Sequence, residues 1–111
     1  MEKKILLYKT QDSKEPFIEW LFSLRDVVTR QRIEMRVERL RYGNYGDHKR
    51  FEGIIELRLN FGKGYRIYCG EDANSVVLLL VGGDKGSQRK DIKTAVAYWE
   101  DYRAQKKIKN V

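Results

Sequence analysis

Cysteine, histidine and proline each occur once in this sequence, as Cys69, His48 and Pro16. A lone cysteine excludes an internal disulfide bond. One cysteine and one histidine also fall short of the four ligands that a structural zinc site requires. The sequence therefore speaks against a metal centre built from these residue types.

Internal repeats, low-complexity tracts and linkers rich in proline, glycine or serine are also missing. At 111 residues the chain is long enough for one domain with a single small core and too short for two. The opening stretch MEKKILLYKT has three consecutive apolar residues, far short of a signal-peptide core or of the ~20 residues that span a membrane. We therefore expect one cytoplasmic domain over residues 1–111, with no membrane partner.

Basic residues outnumber acidic ones, with 23 Lys and Arg against 16 Asp and Glu, for a net charge of +7. The excess lies in residues 30–58 and 87–111. Such a charge favours an acidic partner, most often nucleic acid, because lysine and arginine neutralise phosphates. General solubility explains a basic composition equally well at this stage.

Hydrophobic periodicity predicts an α+β fold with the order strand, helix, helix, three antiparallel strands, helix. The last helix carries Trp99 and the first carries Trp20, and both tryptophans lie on apolar stripes that indicate core positions. The expected strands cover residues 3–9, 54–61, 65–69 and 76–81, and the apolar stripes of the expected helices run over residues 17–28, 33–40 and 92–102. The expected helix caps are Asp12 or Ser13 ahead of Pro16, then Asp26 or Thr29, and finally Ser87.

The stretch IIELRLNFGKGYRIYC reads as a β-hairpin. A three-residue loop, Gly62-Lys63-Gly64, keeps leucine and isoleucine on one face, whereas a two-residue loop would mix arginine with leucine. In that register Arg58, Arg66 and Tyr68 share the polar face, with Arg58 opposite Tyr68. Two guanidiniums on a rigid sheet can grip a phosphate and stabilise a pentacoordinate phosphorane, although a solvated sheet face with cross-strand ion pairs is an alternative.

The stretch GGDKGSQRKDI follows the last expected strand and leads into the last helix. Free backbone N–H groups at such a turn attract anions, and Lys85 adds a full positive charge. Because the three strands are antiparallel, Lys85 is expected to approach Lys63 and Arg66. Three basic groups gathered at one place repel one another, which indicates an anion site rather than an ordinary solvated surface.

Two further residues are candidates for acid–base chemistry. Glu56, flanked by arginines, either pairs with Arg58 as a structural partner or accepts a proton from a ribose 2′-OH. His48, in the polar segment GDHKRF, is more typical of a surface histidine than of a catalyst.

The run ELRLNFGKGYRIY, an apolar strand and GGDKGSQRKDI, together with WL in the first helix and RLRYGNYGDHK after the second, resembles the RelE/ParE toxin superfamily. Within that superfamily the chain looks like the HigB-like addiction module killer proteins, and the resemblance covers roughly residues 3–105. The resemblance implies two N-terminal helices packed on an antiparallel sheet, a C-terminal helix, and no metal or organic cofactor. It also implies a toxin of a type II toxin–antitoxin system, with a helix-turn-helix DNA-binding antitoxin as partner.

The resemblance assigns roles to individual residues. Arg58 and Arg66 match the basic residues that contact the scissile phosphate of mRNA in the ribosome, and Lys85 matches the basic residue that supports the leaving oxygen. Glu56 stands where several relatives carry lysine, and acidic residues around Asp91 stand where a tyrosine is common. The expected catalytic residues are Arg58, Arg66, Lys85 and Glu56, and the expected RNA-binding residues are Lys49, Arg50, Lys63, Tyr68 and Lys90. Gyrase inhibition of the ParE type and a non-catalytic basic module that binds RNA or protein are the alternatives.

Overall fold

A computed structural model describes residues 1–109 of the chain. Over that range the order is one strand, two helices, four strands, a single 3-10 turn and a long helix. The elements are β1 (Lys4–Leu7), α1 (Pro16–Ser23), α2 (Val27–Leu40), β2 (His48–Phe51), β3 (Ile54–Leu59), β4 (Tyr65–Asp72), β5 (Val76–Gly83), the 3-10 turn (Lys85–Ser87) and α3 (Gln88–Lys109).

The strands form one mixed sheet in the order β1-β5-β4-β3-β2. Strands β2 to β5 are antiparallel neighbours, whereas β1 lies parallel to β5 with Lys4 beside Val76. The α+β class is confirmed, but the expectation of a purely antiparallel sheet is wrong. Helices α1 and α2 follow β1 and return the chain to the sheet before β2 begins. Because β1 is joined to the rest of the sheet by this long connection and not by a tight turn, it can pair with β5 in parallel.

Strand β2 was missed from the sequence. Its residues, HKRF, place three polar side chains in a row and show no alternation of apolar and polar residues. The strand exists because it pairs with β3, from His48 opposite Leu57 to Phe51 opposite Ile54, as the edge of the sheet.

The sheet buries both of its faces. On one face α1 and α2 cover a cluster that includes Phe17, Ile33 and Leu57, and on the other face α3 covers a second cluster that includes Tyr68 and Trp99. The expectation of a single core, with the Tyr68 side of the hairpin exposed to solvent, is therefore wrong. Helix α3, which is remote in sequence, packs on that face. The alternation of residues within a strand does not indicate whether a distant helix will pack on either face.

Two helix caps differ from those expected. Asp26 does cap α2, by accepting a hydrogen bond from the Val28 N–H at 3.2 Å. Helix α1 instead starts at Pro16, and Glu15 at its N-cap makes no side-chain bond. Asp84 rather than Ser87 is the N-cap before the last helix, since its carboxylate accepts from the Gly86 and Ser87 N–H groups of the 3-10 turn.

Two glycines leave room for the tryptophans. A Cβ on Gly82 would lie 2.1 Å from Trp20, and one on Gly70 would lie 2.2 Å from Trp99. Trp99 is 7% exposed, and Trp20 is partly buried against the first cluster, so both tryptophans pack as predicted. Because any side chain would collide with the indole rings, these contacts fix α1 and α3 closely against the sheet.

Candidate functional site: a basic cluster beside the β3–β4 hairpin

The loop of the β3–β4 hairpin is longer than predicted. Leu59 pairs with Tyr65, so the loop spans residues 60–64 and is closed by a hydrogen bond from the Gly64 N–H to the Phe61 carbonyl at 3.0 Å. Gly62 and Gly64 adopt φ angles of 56° and 73°, which side chains disfavour. The predicted three-residue loop is therefore wrong.

The longer loop shifts the pairing by two residues and changes the cross-strand partners. Because the side-chain period is two, each residue keeps its predicted face. Arg58 now lies opposite Arg66, and Glu56 lies opposite Tyr68, in place of the predicted pairing of Arg58 with Tyr68. The correction brings the two arginines closer together than the sequence prediction did.

Arg58 and Arg66 form the centre of the site. The Arg66 Nη1 donates to the Gly64 carbonyl at 2.9 Å, while its Nε is buried and has no hydrogen-bond partner within residues 1–109. Arg58 keeps 29% of its side chain exposed and donates from Nε to Glu56 at 3.0 Å. Two like charges directly opposite on neighbouring strands are unfavourable, so the pair favours a bound anion.

Lys85 lies beside these arginines, as the sequence predicted. Its N–H donates to the Lys63 carbonyl at 3.3 Å, and Gly83, two residues before it, pairs with Arg66. Gly64 lies between Lys85 and Arg66, since a Cβ on Gly64 would lie 3.4 Å from the Lys85 Cβ and 3.5 Å from the Arg66 Nη1. The side chains of Lys63 and Lys85 are exposed, so two lysines and two arginines of this region form one basic cluster.

Glu56 is enclosed beneath this basic cluster, with none of its surface exposed. Its Oε2 accepts from the Gln88 amide at 2.8 Å and from the Tyr68 hydroxyl at 3.0 Å, and its Oε1 accepts from Arg58. Burial opposes ionisation, but the hydrogen bonds from Gln88, Arg58 and Tyr68 outweigh it and hold the pKa of Glu56 below the ordinary 4.5. The carboxylate is thus charged, fully engaged and suited to orienting the Arg58 guanidinium.

Tyr68 does not fit the RNA-binding role expected of it. It is 0% exposed inside the cluster under α3, so no base can stack on its ring. Burial, and then the charge of Glu56, raises the pKa of its hydroxyl well above the ordinary 10.0. Tyr68 therefore acts as a hydrogen-bond donor that holds Glu56 in place.

The other expected RNA-binding residues separate into two groups. Lys63 belongs to the basic cluster, and the exposed Lys49 lies on β2 directly opposite Glu56, on the same face. Arg50 pairs with Ile55, faces the α1–α2 side and donates to Glu71 at 3.1 Å, so it is not part of the cluster. Lys90 is exposed on α3, and at 100° per residue it falls on the side away from the sheet.

Three polar residues at the junction of the 3-10 turn and α3 make contacts that the sequence did not reveal. Gln88, the first residue of α3, reaches Glu56, and no motif signals this contact. The Ser87 hydroxyl donates to Asp91 at 2.5 Å, and Asp91 packs so tightly on Gly83 that a Cβ there would lie 1.8 Å from its Oδ2. Asp91 and Ser87 thus hold the turn that presents Lys85. His48 is partly buried against the Tyr45 ring and stands apart from these contacts.

Metal-binding clusters and membrane-spanning helices are both absent from residues 1–109. No group of three or more His, Cys, Asp or Glu residues in that range is arranged to hold a metal ion. Within the same range, none of the helices combines the length and apolar character that crossing a membrane demands.

Comparison with known proteins relates the chain to a bacterial protein. It is 45% identical over 80 residues to an uncharacterized protein of Haemophilus influenzae, an alignment that covers 71% of this chain and 81% of the relative. No family model matches the chain, and no solved structure matches it significantly. At that identity and coverage, the chain belongs to the same protein family as this Haemophilus influenzae protein.

Proposed function

We propose that this protein is a metal-independent endoribonuclease of the RelE/ParE type, the toxin of a type II toxin–antitoxin system. The observation that supports the proposal most is the opposed pair Arg58 and Arg66 with Lys85 beside it. The three side chains come from separate segments and share one end of the sheet. A polyanion that undergoes chemistry at phosphorus suits this arrangement better than a neutral ligand does.

In the proposed reaction the ribose 2′-oxygen attacks the adjacent phosphorus. The bond to the 5′-oxygen breaks, which leaves a 2′,3′-cyclic phosphate and a 5′-hydroxyl. Arg58 and Arg66 donate to the equatorial oxygens as charge develops, and Lys85 gives a proton to the departing 5′-oxygen. The 2′-OH proton passes to solvent.

Glu56 has a positioning role in this proposal. Three donors enclose its carboxylate, and its low pKa makes it a weak base. By accepting from Nε it leaves the terminal nitrogens of Arg58 free to face a phosphate. The alternative in which Glu56 is the general base would require the carboxylate to leave its buried position.

The proposed substrate is mRNA in the ribosome, and the proposed site of action is the cytoplasm. Lys63 and Lys49 lie where they can steer the RNA backbone towards the arginines. The proposed inhibitor is a helix-turn-helix antitoxin. The activity as proposed needs no cofactor, because the cluster provides the charge that a metal ion would otherwise supply.

The test is induced expression of the wild type and of Arg66→Ala, Lys85→Ala and Arg103→Ala in a bacterial host. Arg103 is exposed on α3, near Asp72 at the far end of the sheet, and serves as the matched control. We expect the wild type and Arg103→Ala to arrest growth with cleaved transcripts, and the two site variants to lose both effects.

The alternatives give different results in the same experiment. Growth arrest with intact mRNA and broken DNA would identify a gyrase poison and overturn the nuclease proposal. Growth without arrest, although the protein binds RNA, would identify a non-catalytic module. Transcript cleavage unaffected by either site substitution would show that the basic cluster is not the site.

A further inference from the structure

A second basic surface lies on the opposite side of the hairpin from Arg58. We call it the α2 groove, a depression of about 280 Å³ between one side of α2 and the start of the hairpin loop. It is lined by Arg32, Met35, Arg36, Arg39, Leu59, Asn60 and Phe61.

The α2 groove is strongly positive. Arg32, Arg36 and Arg39 fall at positions i, i+4 and i+7 and therefore share one side of the helix, and no carboxylate is among the lining residues. The nearby Asp47 carboxylate offsets one of these three charges through its interaction with Arg36. The groove thus presents an excess of guanidinium groups that an anionic partner would neutralise.

Arg36 connects the α2 groove to the basic cluster. Its two terminal nitrogens donate to the carbonyls of Arg58, Tyr45 and Asp47 at 2.7–2.8 Å, while its Nε is buried and lacks a partner among the described residues. The Arg58 carbonyl is therefore in contact with the α2 groove, while the Arg58 side chain lies on the other face of the sheet. The two basic regions meet at this one residue.

The two regions adjoin at the hairpin-loop end of β3. Strand β2 pairs with β3 from Ile54 to Leu57, and Asp47 continues along that edge, because its carbonyl accepts from the Arg58 N–H at 2.9 Å and its carboxylate accepts from Asn60 at 3.2 Å. The hairpin loop belongs to both regions, since Phe61 lines the α2 groove and Lys63 lies in the basic cluster. An RNA chain held at Arg58 can therefore follow this loop into the α2 groove. The Arg32 Cζ lies 3.7 Å above the centre of the Phe61 ring, and a guanidinium held over an aromatic ring can still donate from its N–H groups to phosphate oxygens.

From this placement we propose that the α2 groove binds single-stranded RNA next to the nucleotides held at Arg58 and Arg66, with Arg32 and Arg39 on its backbone phosphates. The inference rests on the proposed function and names a second contact region for the same substrate. Arginine is suited to this role because its fork matches phosphate oxygens and its plane stacks on bases.

The test measures binding rather than cleavage. Fluorescein-labelled oligoribonucleotides with a 2′-O-methyl group on every ribose resist the proposed cleavage, and anisotropy gives their Kd. The probes are a trinucleotide, which reaches only the basic cluster, a dodecanucleotide, a duplex of the same length and a poly-glutamate dodecapeptide. The proteins are the wild type, R32Q/R39Q and R103Q/K107Q, which removes the same charge from exposed positions on α3.

For R32Q/R39Q we expect about 10- to 100-fold weaker binding of the single-stranded dodecanucleotide and an unchanged Kd for the trinucleotide. Between about 50 and 200 mM KCl, the log–log salt slope should fall by about 1.4, because two phosphate contacts are lost at ~0.7 each. R103Q/K107Q should bind both probes within about 3-fold of the wild type. Circular dichroism of R32Q/R39Q should match the wild type, since both arginines are exposed.

Three results would overturn the inference. They are a failure of the wild type to bind the dodecanucleotide, a loss of affinity in R32Q/R39Q that is equal for the trinucleotide and the dodecanucleotide, and a loss of affinity in R103Q/K107Q as large as that in R32Q/R39Q. A loss confined to the duplex would assign the groove to structured RNA, and a loss confined to poly-glutamate would assign it to an acidic protein. Tight, Arg32- and Arg39-dependent binding by a protein that fails to cleave RNA would refute the proposed function and leave the groove assignment standing.

Discussion

Replacement of the buried Glu56 by alanine should destabilise the protein strongly. Glu56 is 0% exposed and accepts hydrogen bonds from Tyr68, Gln88 and Arg58. Without the carboxylate, the Tyr68 hydroxyl and the Gln88 amide lose their acceptor, at about 1–3 kcal/mol each. The Arg58 side chain is 29% exposed and can turn to water. We therefore expect Glu56→Ala to lower the free energy of unfolding by about 3–5 kcal/mol.

Urea denaturation followed by circular dichroism at pH 7 measures this loss. With an m-value of about 1–3 kcal/mol/M, the midpoint should fall by about 2 M. Glu56→Gln keeps the volume and one acceptor oxygen, so its loss should be about 1–3 kcal/mol. Glu34→Ala, at an exposed glutamate of α2, should stay within about 0.5 kcal/mol of the wild type.

The pH dependence of the free energy of unfolding provides a second test of the same prediction. The pKa of Glu56 is lower in the folded protein than its ordinary 4.5, so its carboxylate stabilises the fold at pH values above 4.5. That contribution disappears as the pH falls through the lowered pKa. The difference between wild type and Glu56→Ala should therefore be largest at neutral pH and shrink below about pH 4. A loss under about 1 kcal/mol at pH 7, or one independent of pH, would refute the view of Glu56 as a buried ionised anchor.

Three further predictions follow from individual contacts. Gly70→Ala places a Cβ 2.2 Å from Trp99, so the free energy of unfolding in urea should fall by about 1–3 kcal/mol, and an unchanged midpoint would contradict this packing. Gln88→Leu loosens the carboxylate that orients Arg58, so kcat for RNA cleavage should fall about 10-fold with KM nearly unchanged, whereas a merely structural role would lower only the stability. Burial raises the pKa of the Cys69 thiol to about 12, so a thiol reagent should label it at neutral pH only after unfolding, and rapid labelling of the native protein would contradict its burial.

The sequence was sufficient to predict the helices and the faces of the hairpin. Apolar spacing located α1, α2 and α3, although the stripe expected for the first helix ran on to Val28, which lies in α2 and is exposed. Alternation put Arg58 and Arg66 on one face. The antiparallel order then brought Lys85 to Lys63, which the N–H to carbonyl bond between them confirms. These features depend on residues close together in the chain or on turns between consecutive strands. Both leave a recognisable pattern in the sequence.

The pairing within the hairpin could not be predicted, because a shift of two residues leaves every face unchanged. The burial of Tyr68 and Glu56 was missed for a different reason. It depends on α3, which begins 20 residues after Tyr68 and covers both side chains through Gln88 and Trp99. The RNA-binding role predicted for Arg50 is wrong for the same reason, because its partner Glu71 lies on another strand and on the opposite face from the cluster.

The central claim is that Arg58, Arg66 and Lys85 cleave RNA by attack of a 2′-OH on phosphorus. The most direct measurement programs purified ribosomes with a short end-labelled mRNA and identifies the product termini, with a matched mRNA that carries one 2′-deoxyribose at the cleavage position. Wild-type protein should give a 2′,3′-cyclic phosphate and a 5′-hydroxyl on the first mRNA and leave the deoxy position intact, and Arg66→Ala should cleave neither. Intact mRNA with the wild type, or equal cleavage at the deoxy position, would contradict the account.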